Sequence, residues 1–264
     1  MSRPSESLHV LLTMLSSDKL RPDTRAVWNA FDGHPLLKGF VLIGGTALTL
    51  RIGHRVSEDL DLAYTERKLP KVQIAALVKH LAGMGVDMRL MQNPLDEEEF
   101  FNSGLDLADY QQNFIVYPND PAEQGGGVKV SLVCYDPPMG EFIKSQPDDA
   151  LRVATVGEIF ETKAWVCSER SKTRDWVDMY TLIHHHGYSF DDMRAVFSRL
   201  NRLAAFNNAA SRLRLAAPGA ADEGYLSLMA DAPSLDEMRA FFNEGLDALE
   251  LKLAKAAFIG KSLG

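Results

Sequence analysis

The stretch FVLIGGTALTLRIGHRVSEDLDL, residues 40–62, decides the fold. Its first four residues are apolar and run into Gly44-Gly45, the pattern of a short buried strand stopped by a glycine turn. Thr46 to Ile52 then reads as a short helix. Residues 57–63 alternate polar and apolar, as a half-buried strand does. A glycine turn that opens a helix points free backbone N–H groups at one spot. Glycine lets a phosphate approach closely there, and the helix N-terminus favours its negative charge.

In a strand over 57–63, Ser57, Asp59 and Asp61 project from one face, with Leu60 and Leu62 on the other. The two aspartate Cα atoms then lie roughly 6.5 Å apart, close enough for their carboxylates to share metal ions. Paired carboxylates suit Mg²⁺, which keeps its remaining positions for water and substrate phosphate oxygens. Such a site serves in-line attack at a nucleotide α-phosphate, where metal steadies the attacking and leaving oxygens. Taken alone, Asp-x-Asp reads first as an exposed strand whose acids face water. Set about a dozen residues after Gly-Gly, it joins a phosphate cradle and a metal site on adjacent strands.

The string Gly44 to Leu62 resembles the signature of nucleotidyltransferase-fold proteins, and specifically the AbiEii/AbiGii-type toxin family with its G-G-T-x-L…R-x-S-x-D-x-D pattern. Arg55, Ser57, Asp59 and Asp61 fall on positions of that pattern. A second stretch, ETKAWVCSERSKTRDWVDMYTLI (161–183), resembles the family's later motif: a lysine on a helix, a basic turn, then Arg-Asp-x-x-Asp. Lys163, Arg174, Asp175 and Asp178 match it. Lys163 could neutralise a triphosphate as a mobile point charge. Asp175 and Asp178, three apart, can face one side of a helix and orient Lys163 or help set up the attacking hydroxyl. The alternative is a helical hairpin laced by surface ion pairs among Glu169, Arg170, Lys172, Arg174 and Asp175, each worth only about 0–1 kcal/mol. Many nucleotidyltransferases carry a third carboxylate on a later strand. Here the strand Val128–Val133 offers Lys129 and Ser131 on its polar face and no acid. Either Asp175 or Asp178 substitutes, or one metal is held well, or activity is lost.

Beyond these motifs, residues 6–16, 22–31 and 71–83 have helical periodicity, and 86–91, 112–117 and 128–134 read as strands. The second half is helical. Thr155 with Glu158, and Ser234 with Glu237, form capping boxes; Ser189 opens another helix with Asp192 in its first turn, and a helix over 173–185 stops at Gly187. The fold expected is α+β: a nucleotidyltransferase-like mixed β-sheet domain over residues 1–150, followed by a helical domain over 151–264. Segment 136–149, rich in Pro, Gly and Asp, is the expected boundary.

The 264 residues are 46% hydrophobic and 24% charged, with no apolar run long enough to span a membrane and no signal-peptide start. Two cysteines, Cys134 and Cys167, read as reduced, buried thiols of a cytoplasmic protein. A net charge of −8 argues against a broadly basic, nucleic-acid-coating surface. It does not exclude a local channel. Arg194, Arg199, Arg202, Arg212 and Arg214 occur within 193–216 without an intervening acid, and could line a groove for tRNA or other RNA, extended by Arg51, His54 and Arg55. They could instead form a solubilising face or meet the acidic segment 231–250. His184-His185-His186 ends a helix, where successive rings point in different directions and do not converge on a metal.

The resemblance implies a Mg²⁺-dependent nucleotidyltransferase that moves a nucleoside monophosphate from an NTP to an acceptor hydroxyl. Asp59 and Asp61 would hold Mg²⁺. Gly44, Gly45, Thr46, Arg55, Ser57 and Lys163 would contact the nucleotide, with Asp175 and Asp178 assisting. The acceptor implied is RNA, such as a tRNA 3′ end, and the chain would be the toxin of a type IV-like toxin–antitoxin or abortive infection system, neutralised by a separate antitoxin. Two other readings stay open: a catalytically silent nucleotide-binding module, and nucleotide transfer to a small molecule or protein side chain.

Overall fold

The computed structural model describes residues 15–91, 94–118, 126–134, 137–220 and 222–262. The helix expected over 6–16 falls on residues outside that set. The chain forms two compact units, one ending at Ile159 and one starting at Phe160.

The first unit runs α1 (Pro22–Phe31), β1 (Phe40–Ile43), α2 (Gly44–Ile52), β2 (Leu60–Tyr64), α3 (Lys71–Gly83), β3 (Asp87–Met91), α4 (Pro94–Asn102), β4 (Gln111–Tyr117), β5 (Val128–Cys134), α5 (Pro137–Phe142) and β6 (Arg152–Val153). The six strands make one sheet in the order β3-β4-β5-β2-β1-β6. It is mixed: β1 pairs antiparallel with β2 and parallel with β6, β2 pairs parallel with β5, and β4 runs antiparallel to both β3 and β5.

Alternation along each strand sorts the side chains. Leu42, Leu62, Leu132 and Gln112 lie in one cross-strand row, and Leu60, Val130 and Phe114 in the next. Every apolar member of these rows is at most 3% exposed, so this face is the core. Helix α1, with Val27, Trp28 and Phe31 buried, packs on β4 and β5, while α3 packs on β3 through the helically spaced Ile74, Leu77 and Leu81. The other face carries Asp61, Ser131, Asn113 and Lys129.

Helix α6 (Val156–Glu169) starts in the first unit and continues into the second, which adds α7 (Thr173–His185), α8 (Phe190–Arg199), α9 (Leu203–Leu215) and α10 (Leu235–Ser262). The three expected caps are present. Glu158 and Thr155 bond each other's backbone N–H at 2.7 and 3.2 Å, Glu237 and Ser234 do so at 2.6 and 3.2 Å, and Ser189 with Asp192 completes a third box. Helix α10 packs on α7, α8 and α9 around Trp176, Phe197, Leu213, Phe242 and Leu246, all at most 1% exposed. Gly245 is needed mid-helix because a methyl there would run into the Phe190 ring. The α+β architecture is therefore as expected, a mixed sheet followed by helices.

Among the described residues no helix is long and apolar enough to cross a membrane. Leu62 sits at the centre of the sheet with no exposure. Leu62→Ala should cost about 2–5 kcal/mol, read as a lower urea midpoint with unchanged slope.

Candidate active site

Strand β1 is fully buried up to Leu42, and the chain turns at once into α2. Gly44 makes the turn with φ +70°, a left-handed conformation that L side chains resist. The β1–β2 register sets Ile43 opposite Asp61. This brings the Asp61 carboxylate onto Gly44: a Cβ built there would stand 3.0 Å from Asp61 Oδ2. Gly45 has a different reason. A methyl at Gly45 would collide with the guanidinium of Arg55, which is 4% exposed. The two glycines thus let an acidic and a basic side chain of the same unit close on the start of α2. The first turn of any helix leaves backbone N–H groups without intrahelical partners, so this is also where an anion is favoured.

The strand expected over 57–63 begins only at Leu60. Its first part is held as a loop by side chains of α2 and α1. Buried Thr46 bonds Ser57 Oγ at 2.7 Å and donates to the Asp59 carbonyl, and buried Thr49 donates to the Arg55 carbonyl at 3.1 Å. From the other side, Thr24 Oγ1 donates to the Glu58 carbonyl at 2.9 Å, and Arg21 pairs with the Glu58 carboxylate at 2.8 Å. Ser57 keeps one isolated bridge, to Leu20. These bonds capture the backbone that a neighbouring strand would otherwise use. Asp59 therefore sits on the loop just before β2 and Asp61 within it, both half-buried. Asp61, Gly44, Gly45 and Arg55 come together at the start of α2, with Thr46 and Ser57 serving as the stitch beneath them.

Beyond Asp61 the row continues through Ser131 on β5 and Asn113 on β4. The neighbouring strand thus places a hydroxyl, not an acid, beside Asp61. Among the described residues no group of three or more His, Cys, Asp or Glu converges in a metal-binding arrangement. The Asp61 carboxylate at the start of α2, with half-buried Asp59 on the loop before it, nonetheless offers oxygens of the kind that suit Mg²⁺, which binds through one or two carboxylates and takes its other oxygens from substrate and water.

The second motif folds within the helical unit. Lys163 on α6 lies between Asp175 and Asp178 of α7, its Nζ 2.7 Å from Asp175 Oδ1 and 2.6 Å from Asp178 Oδ2. Arg170 adds Nε to Asp175 Oδ2 at 2.8 Å. Lys163, Asp175 and Asp178 are 6%, 2% and 0% exposed, so this is a buried charge cluster and not a laced surface. Burial alone would raise the Asp175 carboxyl; the Lys163 charge and the Arg170 and Lys163 hydrogen bonds outweigh it and hold it below the usual range. The N-terminus of α7 is capped from a distance. Asp222 accepts from Thr173 N at 2.7 Å and Thr173 Oγ1 at 2.6 Å, while Arg174 Nε donates to the Gly224 carbonyl at 3.0 Å. Nothing in the local sequence pattern points to Asp222, which lies 49 residues away.

The arginines are engaged unequally. Arg199 makes a two-pronged pair with Glu161 at 2.9 and 2.7 Å. Arg214 is held by Asn243, Asp247 and Glu250 of α10 at 3.1, 2.6 and 3.0 Å, which is the contact with the acidic segment. Arg212 is half-buried, with one guanidinium nitrogen covered and unbonded among the described residues. Arg202 is exposed and Arg194 half-buried. Arg51 donates to the carbonyls of Val153 and Ala154 at 2.7 and 3.0 Å, tying α2 to β6. His184 and His185 pack with Tyr180 and Phe241. Burial and Asp109 push the Cys134 thiol up to about 11, and burial pushes Cys167 higher still, so neither ionises near neutrality.

A family model described as "Nucleotidyl transferase AbiEii toxin, Type IV TA system" matches residues 26–257, a span that takes in both motifs. Among curated proteins, the uncharacterized protein aq_aa25 of Aquifex aeolicus (strain VF5) is 23% identical over 190 residues, covering 72% of this chain and 79% of its own. Among solved structures, JHP933 from Helicobacter pylori aligns with a TM-score of 0.49 at 17% identity, over 90% of this chain and 95% of the other. MenT4, a nucleotidyltransferase toxin from Mycobacterium tuberculosis H37Rv, aligns at 0.45 and 15% identity, over 83% and 82%.

Removing Lys163 from its buried cluster leaves two covered carboxylates short of their cation. Lys163→Met should cost about 3–5 kcal/mol in thermal or urea unfolding. Asp175, with its folded-state value depressed, contributes stability in full above the unfolded value of about 3.9 and loses it as pH falls through the folded value. Asp175→Asn should therefore flatten the acid limb of the stability–pH curve below about pH 4.

Proposed function

Because the chain belongs to the AbiEii nucleotidyltransferase toxin family of type IV toxin–antitoxin systems, we propose that it transfers a nucleoside monophosphate from an NTP to an acceptor hydroxyl, with RNA such as a tRNA 3′ end as acceptor. The observation that carries this reading is the Asp61 carboxylate set against Gly44 at the opening of α2. The opening turn of α2, which favours an anion, and the Asp61 carboxylate adjoin there. The triphosphate would lie on the N-terminal turn of α2, where N–H groups without intrahelical partners and the helix dipole favour it. Asp59 and Asp61 would hold Mg²⁺, which when bound supplies charge neutralisation at the phosphate oxygens. Arg55, fixed by Thr49 and the lack of a side chain at Gly45, adds a positive charge beside the same turn. Ser57 and Thr46 keep the carboxylate loop in place.

Within the helical unit, Lys163 is the residue on which the family motif places a phosphate-binding cation. Asp175 and Asp178 act on it as positioning residues, each bonding its ammonium. The family implies an antitoxin partner encoded separately. Ser131 beside Asp61 favours one second reading, a module that binds nucleotide without turning it over, because no acid on β5 is present to take the acceptor's proton.

Labelled NTPs offered with total tRNA, or without acceptor, separate the two. Transfer that requires Mg²⁺ and RNA supports the first reading; nucleotide binding with no label in any product supports the second. In the same assay, Asp59→Asn with Asp61→Asn should lower transfer by at least about a thousandfold while the unfolding curve stays near wild type, in the range expected when phosphate charge loses its stabilisation. Full activity in that double variant would remove the assigned metal site.

A further inference from the structure

On the sheet face that bears Asp61, the two sides of the carboxylate differ. Toward β1 lie Gly44 and the start of α2; toward β5 and β4 lie Ser131 and Asn113 in the same cross-strand row. In an in-line displacement the leaving pyrophosphate and the incoming hydroxyl stand on opposite sides of the phosphorus. With the triphosphate on the α2 side, the acceptor enters from the Ser131–Asn113 side. Two strand spacings of about 4.8 Å place Asn113 about 10 Å from Asp61, comparable to the reach of a nucleotide from its 3′ oxygen to its base edge.

A cavity of about 530 Å³ reaches Asn113 from the far side of the row, bounded by β3, α4, residues 105–108 and the start of β4. Its chemistry is selective. Phe101 on α4 is 80% exposed at the cavity, an aromatic face without the cover that large apolar side chains normally have. Met91, 45% exposed, lies opposite Asn113 on the adjacent strand. Asn113 Oδ1 is buried without a hydrogen-bond partner among the described residues, a costly state for an acceptor. Glu97 and Glu98, also lining the cavity, are exposed acids. Aromatic faces stack any base, and carboxylates and amides accept from exocyclic amino groups. The same acids repel a phosphate backbone.

We infer that this cavity seats the 3′-terminal nucleobase of the RNA acceptor, stacked on Phe101 with its amino edge toward Asn113 and the glutamates, and so favours a terminal adenine or cytosine over uracil. The inference rests on the nucleotidyl-transfer reading above and adds where the acceptor's last base goes.

The test titrates the full chain, with Mg²⁺ and a non-hydrolysable NTP, against short oligoribonucleotides carrying 2-aminopurine at the 3′ end or at an internal position. Wild type should quench the terminal probe and not the internal one. Phe101→Ala and Asn113→Leu should each weaken that binding about tenfold, in line with the loss of one stacked or hydrogen-bonded base. Phe101→Ala removes an exposed ring, so its unfolding curve should match wild type and its binding result stands alone if Asn113→Leu fails to fold. Equal affinity in Phe101→Ala, quenching of the internal probe instead, or no binding of either probe overturns the proposal. Terminal-probe binding in this titration, with no label incorporated when hydrolysable labelled NTPs and RNA are supplied, would instead overturn the transfer reading and leave the base site standing. Transfer with an unchanged RNA KM in Phe101→Ala would overturn the base site alone.

Discussion

The pairing of Ile43 with Asp61 across β1 and β2 is the constraint from which the active-site geometry follows. It fixes which residue of β2 faces the helix that β1 feeds, and a shift of one residue would turn Asp61 into the apolar core and Leu62 out of it. The register is held from the core side by rows of leucine, valine and phenylalanine that exclude water. It is held from the loop side by the hydroxyls of Thr46, Thr49 and Thr24. With that register in place, Gly44 must lack a side chain and must turn left-handed, and Gly45 must leave room for Arg55. The glycine pair is thus explained first by the protein's own charged groups, Asp61 against Gly44 and Arg55 against Gly45.

The helical unit solves another problem, that of burying charge. Lys163, Asp175, Asp178 and Arg170 are two cations and two anions, so their formal charges balance within the cluster. A buried pair adds little net stability over a well-packed apolar replacement, but breaking one is expensive. Its value is therefore better sought in the fixed position of the Lys163 ammonium than in the stability of the helices. The same unit absorbs Arg199 and Arg214 into pairs with Glu161 and with α10, which neutralises two of the five arginines of the basic run.

Much of this was legible in the residues. Most helices and strand limits follow from periodicity, glycine stops and three capping boxes, because those signals are local; the helices Pro94–Asn102 and Pro137–Phe142, the latter inside the expected boundary segment, do not. The carboxylate pair and the lysine motif were legible as patterns. What escaped was set by contacts distant in sequence. The start of β2 moved to Leu60 because α2 threonines claim the carbonyls before it, and alternation cannot register that competition. Arg214 is answered by residues 33 and 36 positions later. Asp222 caps a helix 49 residues earlier. The cavity at Asn113 depends on α4 and on the β3–β4 edge, none of which carries a motif.

The central claim is that one spot at the opening of α2 serves both metal and phosphate. The most direct measurement is a crystal structure with Mn²⁺ and a non-hydrolysable NTP, using the anomalous signal to locate the metal. The account predicts a Mn²⁺ peak within about 2.2 Å of oxygens from both Asp59 and Asp61, with phosphate oxygens on the backbone N–H groups of the first turn of α2. A metal bound elsewhere, or a triphosphate away from Gly44 and Gly45, would contradict it.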